Sequence, residues 1–232
     1  MLSLQQTIQE LLLLIMPFLL AITVHEFAHG WMANKLGDPT ARLAGRLSLN
    51  PIKHLDLLGT ITLILTRRIG WAKPVPVNPY NLRDPQKDMM WISLAGPASN
   101  FLLAILSAII LRVIITINPS FKPLVELALN FQFPSLEGFN TFVILWIIIL
   151  WMICLGMMLN VILAVFNLFP LPPLDGGKIL QGILPRELSL AFEKIEPYGF
   201  FILILLAFTG ILWIVISPFF IISRGILLRI IF

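Results

Sequence analysis

Charge is missing from four long stretches of this chain. No Asp, Glu, Lys or Arg occurs between Glu10 and Glu26, Asp88 and Arg112, Glu137 and Asp175, or Glu196 and Arg224. A helix needs roughly 20 mostly apolar residues to cross the hydrocarbon core of a bilayer. Three of the four stretches reach that length unaided. The first does so when its helix continues through His25, Glu26 and His29. Backbone amides in lipid must find partners within their own segment, so these stretches predict helices. The expected fold class is an all-α polytopic membrane protein, one domain over residues 1–232. Its spans fall at about 8–35, 89–117, 141–168 and 198–217. Residues 219–232 carry Arg224 and Arg229. They are too short to cross again and predict an interfacial helix.

Composition narrows the class further. Charged residues make up 12% of the chain, against about 25% in a soluble domain. That excludes an ordinary soluble domain, a disordered chain and a nucleic-acid partner, and leaves the lipid bilayer as the surroundings. The 17 Phe and 6 Trp suit lipid-facing and interfacial positions. Cys154 is the single cysteine, so no internal disulfide is possible. The N-terminus has no basic region and no small-residue cleavage motif, so no cleaved signal peptide is expected.

Residues 36–88 are the most polar stretch and hold Arg42, Arg46, Lys53, Arg67, Arg68, Lys73, Arg83 and Lys87. The positive-inside bias places this segment in the cytoplasm and the N-terminus outside, in a multi-pass membrane protein. Within it, Ile61–Leu65 is too short to span and predicts a re-entrant or interfacial piece. Gly70 and the run Trp71–Tyr80, with Pro74, Pro76 and Pro79, predict an extended edge strand, hairpin or loop.

The first span ends in His25-Glu26-Phe27-Ala28-His29, the pattern H-E-x-x-H. On a helix, positions i and i+4 lie one turn apart on one face, so two imidazoles reach one tetrahedral zinc. Glu26 can then take a proton from water polarised by such a metal and pass it to a leaving amine. Ionisable groups inside a span are costly, and shared coordination of one metal offers the compensation. A catalytic zinc needs a third protein ligand. His54 and Asp56 are nearby candidates. Asp175 is the distant one, flanked by Pro170, Pro172, Pro173, Gly176 and Gly177. Irregular backbone at membrane depth is tolerated only where it lines protein or a water cavity. Asp175 is also placed to cap a short helix over 176–184.

Three elements together resemble the site-2 protease family, the intramembrane zinc metalloproteases. They are the H-E-x-x-H run, Gly96-Pro97-Ala98-Ser99-Asn100 (like a G-P-x-x-N element of bacterial members), and Asn167 with Pro170 and Leu174-Asp175-Gly176 (like N-x-x-P-x-x-x-L-D-G). The resemblance implies one zinc per chain held by His25, His29 and Asp175, with Glu26 catalytic. It also implies cleavage of transmembrane or membrane-adjacent segments of other proteins, which are then its partners. Many members carry a PDZ domain or CBS domains. The short 118–140 loop and C-terminus suggest a compact catalytic core without them.

Other polar residues carry paired readings. Asn100 is either a donor to the scissile carbonyl, hence substrate-binding, or packing glue between helices. Asn167 either orients substrate or holds a broken helix. His54 is either a neighbour of the metal site, a substrate-site group or structural. The Lys73–Pro79 stretch either pairs with an unwound substrate strand or is a plain hairpin. An alternative function is a catalytically inert metal-binding relative or a metal-transport protein. A transporter needs a polar path across the membrane, which the spans scarcely offer. An inert relative has no use for Glu26.

Overall fold

The computed structural model describes residues 4–66, 72–132 and 138–232. Arg67, Arg68, Gly70 and Trp71 lie outside these residues. The described chain is helical, with no strand longer than one isolated bridge. In chain order the helices are α1 (Leu4–Lys35), α2 (Thr40–Leu43), α3 (Leu57–Thr66), α4 (Pro85–Ile117) and α5 (Lys122–Leu129). They continue with α6 (Thr141–Asn167), α7 (Asp175–Ile183), α8 (Arg186–Glu193), α9 (Glu196–Phe208) and α10 (Ile211–Ile231). Four helical stretches are long and apolar enough to cross a bilayer: Leu13–Lys35, Pro85–Ile117, Thr141–Asn167 and Ile211–Ile231. Their outward faces are bare hydrocarbon. On α4, Leu102 is 67% and Ile117 79% exposed. A face of this kind is solvated by lipid, not water.

The fourth span differs from expectation. The charge-free run suggested a crossing at 198–217 followed by an interfacial helix at 219–232. Instead α9 stops at Phe208, Gly210 adopts φ 77°, and α10 runs unbroken from Ile211. Thr209 Oγ1 donates to the Leu205 carbonyl at 2.9 Å and helps close the end of α9. A 13-residue helix is only about 20 Å long, short of the ~30 Å hydrocarbon core, whereas the 21 residues of α10 reach it. Hydropathy is continuous through the break, so only a glycine in the left-handed region marked it.

Contacts divide the chain into two compact units. One comprises Met1–Ala21, Phe101–Ile162 and Phe220–Phe232. Small residues Ala104 and Ala108 of α4 and Cys154, Met157 and Val161 of α6 are buried in it. The half-buried Arg224 donates from Nη2 to the Leu129 carbonyl at 3.2 Å, capping the C-terminal end of α5.

The other unit comprises Ile22–Asn100 and Leu163–Phe219. Here α1 ends at Lys35, and Gly37, with a φ of 110°, turns the chain. The apolar run at Ile61–Leu65 belongs to α3, a ten-residue helix too short to cross. Asp56 Oδ1 accepts from the Gly59 N–H at 2.8 Å and caps it. Residues 73–78 are extended, as the prolines require, but form no hairpin among the described residues. A single antiparallel bridge joins Leu55 to Ala72. The segment is tethered instead by side chains and one loop carbonyl. Lys73 N–H donates to the His54 carbonyl at 2.9 Å, and Asn78 N–H to Asp38 Oδ2 at 2.7 Å. The loop at 168–174 includes a cis Pro172–Pro173 bond and feeds α7.

Candidate metal centre

The last turns of α1 carry His25, Glu26 and His29, and α7 opens with Asp175. His25 Nε2 and His29 Nε2 lie 3.0 Å apart. Asp175 Oδ2 is 3.2 Å from the first and 3.3 Å from the second. Two tetrahedral ligands with bonds of 2.0–2.1 Å sit about 3.3 Å apart. The observed triangle therefore has the dimensions of a tetrahedral zinc face. Among the described residues, these three are the one such group of His, Cys, Asp and Glu side chains.

The protons explain why the triangle needs a cation. His25 Nδ1 faces Asn100 Oδ1 at 2.6 Å, and His29 Nδ1 faces the Ile92 carbonyl at 2.7 Å. Both partners are acceptors, so each neutral ring carries its proton on Nδ1. Both Nε2 atoms then present lone pairs, to each other and to a carboxylate. Asp175 Oδ2 is buried and has no hydrogen-bond donor. Three converging electron pairs repel one another unless a metal ion lies between them. The donor set fits zinc, and His25, His29 and Asp175 are the residues that would hold it. The three side chains remain 9%, 12% and 16% exposed, which leaves an approach from outside.

The sequence around each ligand builds this geometry. Ile92, Gly96 and Asn100 recur every fourth residue and share one stripe of α4. A Cβ at Gly96 would lie 2.5 Å from His29 Nε2 and 2.7 Å from His25 Cε1. Only glycine leaves room for both rings. Pro97 has no N–H to return to the Ser93 carbonyl, which loosens this turn of the helix. On α7, a Cβ at Gly176 would lie 2.3 Å from the Leu168 and Phe169 carbonyl oxygens. One at Gly177 would lie 2.7 Å from Pro172 N. The two glycines let the preceding loop fold back against the first turn and set where Asp175 starts. Gln86 of α4 then donates to the Gln181 and Leu184 carbonyls, both at 2.9 Å, and ties down the other end of α7. Asp175 is the first helical residue and makes no side-chain cap; Leu174 occupies the cap position.

The remaining candidates fall elsewhere. His54 is fully buried and its Nε2 donates to the Ser48 carbonyl at 2.7 Å. Asp56 caps α3. Neither joins the triangle. Asn100 is fully buried behind His25. Asn167 donates from Nδ2 to the Leu163 carbonyl at 3.0 Å, one turn back on α6. Glu26 Oε2 accepts from the Val75 N–H at 3.1 Å, so the extended segment orients this carboxylate. Gly30, one turn on, admits that segment: its Cβ would lie 3.3 Å from Val75 Cγ1. The Val75 amide, the Ile92 carbonyl and the role of Gly96 were not expected from sequence. For the two on α4, the Gly96–Pro97 step inside an apolar helix was the one signal in the sequence; nothing local marked the Val75 amide.

Comparison with known proteins decides the family. Residues 13–208 match the profile of Peptidase family M50. This chain belongs to family M50. A relative from Bacillus subtilis (strain 168), named "Putative zinc metalloprotease YwhC", is 37% identical over 196 residues, covering 84% of this chain and 80% of the relative. "Putative zinc metalloprotease Rip2" of Mycolicibacterium smegmatis (strain ATCC 700084 / mc(2)155) is 30% identical over 203 residues, covering 85% of this chain and 67% of that one. No solved structure matches. Membership of M50 makes the chain a metalloprotease of the site-2 protease type and zinc the implied metal. With its four apolar helices, it is a multi-pass membrane protein.

Proposed function

We propose that this protein is an intramembrane zinc endopeptidase of a cell membrane, cutting transmembrane or membrane-adjacent segments of other proteins. The observation that carries this reading is the 3.0–3.3 Å triangle of His25, His29 and Asp175 lone pairs, with Glu26 adjacent in sequence to its first member. When bound, one zinc per chain supplies Lewis acidity toward water and the scissile carbonyl. Glu26 takes the proton of the attacking water and delivers it to the amine that leaves as the C–N bond breaks. The Val75 N–H keeps the Glu26 carboxylate oriented for both transfers.

A helical substrate hides its amides, so it must unwind before it is cut. The extended 73–78 segment, tethered to Glu26 and Asp38, supports pairing with the unwound strand by β-addition. Asn167, at the C-terminal end of α6, is in this reading a substrate contact as well as a donor to the Leu163 carbonyl of its own helix. The high Lys/Arg content of residues 36–88 supports a cytoplasmic position for that segment.

The test is Glu26→Gln. Cleavage of a reconstituted transmembrane peptide falls by about 10²–10⁴-fold, while bound zinc stays at the wild-type level. Full cleavage by the variant overturns the reading. Metal uptake into proteoliposomes without peptidase activity supports a transporter instead.

A further inference from the structure

The two histidines are held by different acceptors. His29 Nδ1 faces a main-chain carbonyl, which no side-chain substitution at Ile92 removes. His25 Nδ1 faces a side chain, Asn100 Oδ1, at 2.6 Å and fully buried. Such a pair has no water to replace a lost partner.

We propose that Asn100 is a positioning residue that fixes the His25 tautomer, holding the ring proton on Nδ1 so that Nε2 stays a bare donor facing His29 and Asp175. The inference rests on reading those three residues as metal ligands. Its consequence follows from the distances. With no acceptor at position 100, a proton left on Nδ1 is buried and unpaired. The neutral ring then moves it to Nε2, where Asp175 Oδ2 waits 3.2 Å away. Nε2 donates to that carboxylate, and the site closes on itself: one ligand has lost its lone pair and another is occupied. This role differs from contacting substrate. Asn100 lies behind the ring, at Nδ1 and not at Nε2, and reaches the metal site through His25. It also explains the four-residue step from Gly96 to Asn100. One position makes room for the rings, and the next on the same stripe of α4 orients one of them.

Two variants and two measurements test it. Asn100→Leu keeps the volume and removes the acceptor; Asn100→Asp keeps an acceptor oxygen and removes the amide. The first measurement is nitrogen NMR of ring-labelled histidines in the metal-free protein. The chain has 3 histidines, so replacing each in turn assigns the signals. His25 shows the Nδ1–H form in wild type and in Asn100→Asp, and the Nε2–H form in Asn100→Leu. The second is zinc affinity by chelator competition. Asn100→Leu binds about 10–100-fold more weakly, and Asn100→Asp stays within a few-fold of wild type. An Nε2–H ring in the wild type overturns the proposal. So does Asn100→Leu with wild-type tautomer and affinity, or Asn100→Asp behaving as Asn100→Leu does. If Asn100→Leu does not fold, the wild-type and Asn100→Asp spectra decide. If wild type shows the expected tautomers and binds zinc but cuts no peptide, the peptidase reading fails and the positioning role stands.

Discussion

Asp38 shows how much one residue can hold in place. It is fully buried just after α1, and its carboxylate accepts from the Thr40 N–H and hydroxyl, the Asn81 amide and the Asn78 N–H. Burial alone would raise its carboxyl; the bonds from Thr40, Asn81 and Asn78 outweigh this and hold it below the ordinary carboxylate range. A carboxyl depressed in the folded state stabilises above its unfolded pKa, and the gain is lost as pH falls through the folded pKa. Asp38→Asn therefore costs about 1.5–3 kcal/mol at neutral pH. The deficit against wild type shrinks in acid, below roughly pH 4. Denaturation of the detergent-solubilised proteins at several pH values measures it, and a pH-independent difference contradicts the account. In the sequence Asp38 was one more charge in a polar stretch. Its partners at 78 and 81 lie some forty residues on, beyond what local pattern can show. His25, Glu26 and His29 were legible because their relation is local, set by the pitch of one helix.

At the scale of elements, α4 is the scaffold of the site. Its stripe of Ile92, Gly96 and Asn100 meets both imidazoles, and Gln86 grips α7 below the third ligand. Gly96→Ala tests this. The added methyl would stand 2.5 Å from His29 Nε2, well inside contact distance. Alanine favours a helix over glycine by about 1 kcal/mol, so α4 survives while the rings are displaced. The expected result is a folded protein of unchanged helicity with zinc affinity reduced at least tenfold. Circular dichroism and metal titration check the two halves of that statement. Full zinc binding would mean that the rings have room to shift. The α9–α10 break teaches the reverse lesson about elements. Hydropathy marked an apolar run and not where it is cut, because lipid-soluble side chains read alike on either side of Gly210. The prolines of 74–79 forbade a helix correctly. They could not say that the extended chain would be held by Glu26 and Asp38 and not by a second strand.

For the whole molecule, the open prediction is orientation. Lys178 is exposed one turn beyond Asp175 on α7, and the native Cys154 is buried. Lys178→Cys thus offers one reactive thiol near the site. A membrane-impermeant maleimide labels it in inside-out vesicles and not in intact cells, if the basic 36–88 side faces the cytoplasm. Labelling only from outside reverses the topology. The charge-free runs dictated a membrane protein of helices, because lipid offers backbone amides no other partner. The i, i+4 histidines dictated a metal-binding face, because helical pitch is a local property. Three matters waited for the folded chain. Asp175 joined the histidines while His54 and Asp56 did not, since a third ligand arrives across about 150 residues by packing alone. Asn100 turned out to face His25, because which way a buried amide points depends on its surroundings. The histidine tautomers followed from acceptors on another helix. Each is a relation between distant segments, and tertiary contact is what creates it.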